Sequence, residues 1–76
     1  MTTMMATNSN TRLRIGKRIA ELRKKKGLSQ RALAELTGYN PSNIARIELG
    51  RYSVGLDVLQ NIADKLDAQV EINEFK

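Results

Sequence analysis

The stretch LSQRALAELTGYNPSNIARIELGR, residues 28–51, decides the fold of this chain. It predicts two short helices, because Ser29 and Asn40 are good N-cap residues and Pro41 suits the first position of the second helix. Between them lies Gly38, where a tight turn needs a positive φ. Since so few residues join the two helices, we expect them to cross steeply, at about 90–120°.

The same stretch carries the side chains that a steep crossing requires. Ala34 supplies a small residue where the two backbones approach, and Ile44 and Ile47 supply branched apolar side chains for the core. Successive residues of a helix are about 100° apart, so the opposite face of the helix predicted over residues 41–49, the third of the chain, is expected to meet solvent. Its outward-facing residues are predicted to be Ser42, Ala45, Arg46 and Leu49, with Pro41 and Asn43 on the flanks.

Helical periodicity continues on both sides of this stretch. Upstream, Ile15, Ile19 and Leu22 form one apolar stripe on a helix expected over about residues 12–26. Downstream, a fourth helix is expected to begin near Gly55. Its apolar stripe consists of Leu59, Ile62, Ala63 and Leu66. The pattern therefore predicts an all-α domain over residues 11–67.

The two ends of the chain are expected to differ from this helical part. Residues 1–10 show no periodicity, which predicts a disordered N-terminal tail. Residues 68–73 alternate apolar and polar side chains, which favours a short β-strand. A strand at the end of a helical domain has no partner within its own chain. We therefore expect residues 68–76 to be a dimerisation segment that pairs with a second copy in a homodimer.

Charge is distributed unevenly along the chain. Thirteen Lys and Arg against eight Asp and Glu give a net charge of +5. Residues 11–51 hold eleven basic and three acidic side chains, a balance of +8, whereas residues 52–76 have a balance of −3. Such segregation indicates that one face of the domain meets a polyanion.

Composition argues against several other classes of function. Histidine and cysteine are absent, so the chain lacks the commonest general base and the usual thiolate ligands. We therefore expect no catalytic activity, no metal site and no cofactor. No apolar run approaches the ~20 residues of a membrane span, and no signal peptide is visible. The sequence predicts a cytoplasmic protein without a membrane partner.

Residues 28–51 resemble the helix-turn-helix of the phage repressor and Cro family, also called the xenobiotic-response-element family. Residues 15–27 look like the first helix of that family and residues 55–63 like its fourth, so the resemblance covers about residues 13–67. It implies a lambda-repressor-like domain of four to five helices. It also implies sequence-specific binding of double-stranded DNA, with the function of a transcriptional repressor.

The resemblance also implies which side chains touch DNA. In this family the N-terminal part of the third helix enters the major groove. The implied base contacts are Ser42, Asn43 and Arg46, and the implied phosphate contacts are Gln30, Asn40 and Arg51. Arg46 can donate two hydrogen bonds to one guanine. Pro41 departs from the polar residue often found at its position, because it cannot hydrogen-bond a base. Arg23 and Glu48 correspond to a structural ion pair that bridges the first and third helices.

The resemblance also allows a second function, that of an antitoxin. Some small members of the family are antitoxins, which bind a toxin protein and repress their own operon. A terminal strand like the one predicted over residues 68–73 occurs in several antitoxin-like relatives. A toxin protein is therefore an alternative partner.

Overall fold

Four α-helices occupy the part of the chain that the computed structural model describes, which is the backbone of residues 3–72 and the side chains of residues 9–72. They are α1 (Thr3–Lys25), α2 (Gln30–Thr37), α3 (Pro41–Glu48) and α4 (Leu56–Lys65). The predicted all-α architecture is confirmed.

The limits of α2 and α3 follow from their capping residues. The Ser29 hydroxyl oxygen accepts a hydrogen bond from the backbone N–H of Ala32 at 3.0 Å. Asn40 Oδ1 does the same for the N–H of Ser42 at 2.9 Å. Gly38 ends α2 with a φ of 81°, a left-handed conformation in which most side chains are strained. Local sequence therefore accounts for the limits of these two helices.

The core lies where the four helices meet, and α2 and α3 bury the residues predicted for it. The buried apolar side chains are Ile19, Leu33, Ala34, Ile44, Ile47, Ile62, Ala63 and Leu66. Leu33, Ile44 and Ile62 are the largest that are fully buried, and they come from α2, α3 and α4. Packing of the buried face of α3 against the other helices therefore fixes its orientation.

At one place α1 and α3 approach so closely that no side chain fits between them. A Cβ atom on Gly16 would lie 2.3 Å from the carbonyl oxygen of Ile47 and 2.6 Å from that of Glu48. Both neighbours are backbone atoms, which cannot rotate away as a side chain can. Glycine at residue 16 is therefore a condition for this contact.

The first helix is longer than its sequence pattern predicts. It begins at Thr3, so the structure continues α1 through residues 3–10, where the sequence predicts a disordered tail. No Gly or Pro interrupts residues 2–15. Extending a helix that packing has already nucleated adds a hydrogen bond for each residue fixed, so weak helix formers can follow. Lack of amphipathic periodicity is therefore a poor sign of where this helix begins.

The C-terminal segment also differs from its prediction. Residues 68–72 form no strand in the structure, and Asn73 lies outside the described residues. Alternation of side chains indicates two faces, but a strand also needs a hydrogen-bonded neighbour. All the elements of residues 3–72 are helices, so that part of the chain contains no strand that could provide one. Pairing between two copies stays a prediction.

Candidate nucleic-acid interface

The outer face of α3 carries the three residues predicted to contact bases. Ser42 and Arg46 are exposed and Asn43 is half-buried, whereas Ile44 and Ile47 are buried on the opposite side. Because they are four positions apart, Ser42 and Arg46 lie one helical turn from each other on the same face. The structure thus brings these three polar side chains together on the outer face of a helix whose other face packs into the core.

Arg46 is the cation of this surface. Its guanidinium forms no ion pair with any carboxylate among the side chains of residues 9–72. A guanidinium offers five N–H donors in a planar fork, which matches the O6 and N7 acceptors of guanine. Arg46 is therefore free to donate to a base edge without first breaking an internal bond.

Ser42 and Asn40 are linked to each other at the start of α3. The Ser42 hydroxyl donates to Asn40 Oδ1 at 2.8 Å, beside the backbone bond that caps the helix. In this arrangement the Ser42 oxygen can still accept a hydrogen bond, for instance from the amino group of adenine or cytosine. The Nδ2 group of Asn40 can still donate to a phosphate. The capping bonds therefore leave Ser42 as a hydrogen-bond acceptor and Asn40 as a hydrogen-bond donor toward DNA.

Gln30 lies at the first position of α2 and contacts the end of α3. Its Nε2 donates to Glu48 Oε1 at 2.9 Å, and the side chain is half-buried. An amide nitrogen has two hydrogens, so one remains for an external acceptor. The internal bond holds that amide near the N-terminus of α2, where free backbone N–H groups and the helix dipole favour an anion.

A buried ion pair lies behind these residues and joins α1 to α3. Nε and Nη2 of Arg23 donate to the Oε2 and Oε1 atoms of Glu48 at 2.6 and 3.0 Å, and both residues are 8% exposed. Nη1 of Arg23 donates to the carbonyl oxygen of Leu28 at 2.9 Å. The hydrogen bond to Glu48 raises the pKa of Arg23 above its usual value, although burial acts in the opposite direction. Arg23 is therefore charged throughout the physiological range.

Arg51 continues the basic surface just beyond α3. Its side chain is exposed, and its backbone N–H donates to the carbonyl oxygen of Arg46 at 2.9 Å, which folds the loop against the end of the helix. Arg31 is exposed at the second position of α2. By contrast, Asp57 and Asp64 lie on α4. Exposed arginines therefore lie on α2, on α3 and just beyond α3, beside one exposed carboxylate, Glu35 of α2, while α4 carries two acidic side chains.

Sequence reasoning missed two residues that hold the end of α3. Gly16 allows α1 to touch the carbonyl groups of Ile47 and Glu48, and the Arg12 Nε donates to the carbonyl oxygen of Gly50 at 3.3 Å. A glycine inside an amphipathic helix costs about 1 kcal/mol relative to alanine, so its presence there was a signal of close packing. Nothing in the sequence pattern distinguishes Arg12 from the other basic residues of α1.

Neither a cluster of metal ligands nor a membrane-spanning helix occurs in the part of the chain that the structure describes. Among those residues, no group of three or more His, Cys, Asp or Glu side chains is placed to hold a metal ion. None of the helices described is long and apolar enough to cross a membrane.

Comparison with known sequences connects this geometry to regulators. Residues 19–73 match the family described as helix-turn-helix, HTH_3. Over 47 residues the chain is 45% identical to the HTH-type transcriptional regulator PuuR of Escherichia coli strain K12, a match that covers 62% of this chain and 25% of PuuR. The chain therefore spans about a quarter of the length of this curated relative.

Solved structures show the same similarity in three dimensions. The restriction-modification controller protein C.AhdI from Aeromonas hydrophila has a TM-score of 0.76 at 37% identity, with 79% of this chain and 91% of that chain covered. The clp gene regulator ClgR from Corynebacterium glutamicum has a TM-score of 0.74 at 29% identity, covering 76% and 62%. An HTH_3 family transcriptional regulator from Vibrio cholerae has a TM-score of 0.76 at 34% identity, covering 82% and 35%.

Proposed function

The chain belongs to the HTH_3 helix-turn-helix family, and from that membership we propose that it binds double-stranded DNA sequence-specifically and represses transcription in the cytoplasm, as a regulator of the Cro/C1 type. The observation that carries the proposal is the outer face of α3. Ser42 and Arg46 are exposed on this face and Asn43 is half-buried, whereas Ile44 and Ile47 on the opposite side of α3 pack into the core. A helix so held can enter the major groove as a rigid body.

In this proposal base reading begins with Arg46, which donates to O6 and N7 of a guanine. Ser42, one turn earlier, accepts from a base amino group, because its own hydrogen is donated to Asn40. Asn43 lies beside them on the flank of α3 and has an amide that can both donate and accept. Each contact reads a different base, so together they define a short half-site.

Phosphate contacts orient the domain without reading sequence. We assign them to Gln30, Asn40 and Arg51, which lie at the start of α2, at the start of α3 and just after α3. The Gln30 amide is held by Glu48, which reduces the entropy that this side chain would lose on binding. The comparisons lend no support to a toxin protein as partner.

Arg46→Ala is expected to weaken binding to the preferred duplex by about 1–3 kcal/mol and to relax the preference at one base pair. Gln30→Ala should weaken binding to preferred and random duplexes nearly alike, because a phosphate contact carries no sequence information. Lys65→Ala is the matched control, since it removes one exposed positive charge from α4. Fluorescence anisotropy with both duplexes measures all three. If Arg46→Ala caused equal and small losses of affinity for both duplexes, base reading by α3 would be contradicted.

We also propose that two copies associate through residues 68–73. A groove of about 690 Å³ runs between α1, α4 and residues 68–71. Apolar side chains line much of it, including Ile15, Ile19, Leu59, Ala63 and Leu66. Val70, which also lines it, is 38% exposed, and Ile72 is fully exposed. A second copy that paired antiparallel with this segment would satisfy its backbone groups and cover these side chains. A twofold dimer could then set two reading helices roughly 34 Å apart on a palindromic site.

Removal of the residues after Ala68 is expected to convert a dimer into a monomer in sedimentation at micromolar concentration. The cut spares the core, because the Ala68 backbone N–H closes the end of α4 on the carbonyl oxygen of Ala63 at 2.8 Å. Thermal unfolding of the shortened chain serves as the control for folding. Identical monomeric profiles of the full and shortened chains would refute the proposed dimer.

A further inference from the structure

Asn61 on α4 reaches across to the turn between α2 and α3. Its Nδ2 donates to the carbonyl oxygen of Thr37 at 3.1 Å and to the hydroxyl oxygen of Tyr39 at 3.0 Å. Asn61 and Tyr39 are half-buried, and Thr37 is buried. One side-chain amide thus joins α4 to the turn that sets the angle between α2 and α3.

The two acceptors lie at sensitive points of the turn. Thr37 is the last residue of α2, so its carbonyl oxygen has no partner within the helix and Asn61 supplies one. Tyr39 directly precedes the N-cap of α3, and its backbone N–H donates to the carbonyl oxygen of Ala34 at 3.0 Å. The ring of Tyr39 packs against the core. The turn is therefore held by α2 through its backbone and by α4 through Asn61.

We propose that Asn61 and Tyr39 are positioning residues that set the angle of α3 for base reading, an inference that rests on the proposed function. Direct base contacts need a geometry within about 0.5 Å and 10–20°. Attraction to phosphates depends on charge over several ångströms and tolerates a tilt of the helix. Loss of the Asn61 link should therefore weaken binding to the preferred site more than binding to random DNA.

A merely structural role for Asn61 predicts a different result. If its loss only lowers the folded fraction, the apparent affinities for preferred and random duplexes fall by the same factor. The ratio of the two affinities then stays at the wild-type value, because the folded fraction cancels. This ratio is therefore the readout that separates positioning from stability.

The variants to compare are Asn61→Ala, Tyr39→Phe and the matched control Gln60→Ala. Gln60 also carries an amide hydrogen bond on α4, but its Nε2 donates to Asp64 Oδ1 at 2.7 Å within the same helix and is exposed. Asn61→Ala should lower the affinity ratio about tenfold, and Gln60→Ala should leave it unchanged. Tyr39→Phe keeps the ring and removes the hydroxyl, so the ratio should fall by a smaller factor.

The double variant tests whether the two residues act through one link. Once Asn61 is alanine the Tyr39 hydroxyl has lost this partner, so Asn61→Ala with Tyr39→Phe should match Asn61→Ala alone rather than add to it. A wild-type ratio for Asn61→Ala would overturn the inference and leave the proposed function standing. A wild-type chain that bound both duplexes equally would overturn the proposed function, and this inference with it.

Discussion

Gly16→Ala is expected to lower the free energy of unfolding by about 3 kcal/mol, the upper end of the range for overpacking, since the added methyl group meets the backbone of α3. Its Cβ would lie 2.3 Å from the carbonyl oxygen of Ile47 and 2.6 Å from that of Glu48, far inside van der Waals contact. Relief requires α1 and α3 to move apart, which also strains the Arg23–Glu48 pair. In a domain whose total stability is about 5 kcal/mol, this change should reduce Tm by about 12 °C or more.

The sign of this effect is diagnostic, because helix propensity alone predicts the opposite. In an exposed helix Gly→Ala stabilises by about 1 kcal/mol. Gly55→Ala is the control, since a Cβ at Gly55 has nothing within 4 Å and the backbone φ is −75°. It should change stability by no more than about 1 kcal/mol. Thermal unfolding followed by circular dichroism measures both, and a Gly16→Ala chain as stable as wild type would contradict the packing of α1 on α3.

Glu48→Ala is expected to destabilise the domain by about 3–5 kcal/mol, the range found when one partner of a buried ion pair is removed. The Arg23 guanidinium would remain buried without its carboxylate, and the Gln30 amide would lose its acceptor. Glu35→Ala removes an exposed carboxylate from α2 and should change stability by no more than about 0.5 kcal/mol. Urea unfolding of the two variants gives the comparison.

Replacement of both partners tests the reason for that loss. Arg23→Met combined with Glu48→Leu removes both charges and fills the space with apolar side chains. It should recover much of the stability that Glu48→Ala loses, because the cost of burying an unpaired charge disappears. If the double variant were as unstable as Glu48→Ala, loss of shape rather than of charge compensation would explain the effect.

The elements that could be predicted from sequence are those fixed by neighbours along the chain. Ser29, Gly38 and Asn40 act on backbone groups within a few residues of themselves, so their spacing set the limits of α2 and α3. The apolar stripes identified Ile19, Ile44 and Ile62 as core for a similar reason, since a helix repeats locally. The same logic predicted that Ser42 and Arg46 face outward.

What could not be predicted depends on partners distant in the sequence. The link from Asn61 to Tyr39 spans 22 positions, and no periodicity along α4 distinguishes Asn61 from its polar neighbours. The bond between Gln30 and Glu48 spans 18 positions. Likewise, the alternation over residues 68–73 could not tell whether a strand partner exists, because that partner is not adjacent in the chain. Apart from the Arg23–Glu48 pair, which the family resemblance implied, these long-range contacts could be identified only from the structure.

The central claim is that α3 reads bases through Arg46, and selection of duplexes from a random-sequence pool tests it most directly. The wild-type chain should enrich one site with two inverted half-sites, each with a guanine at a fixed position. Arg46→Ala should enrich the same site with any base at that position. Enrichment of no sequence by the wild-type chain, or of identical bases at every position by both chains, would contradict the claim.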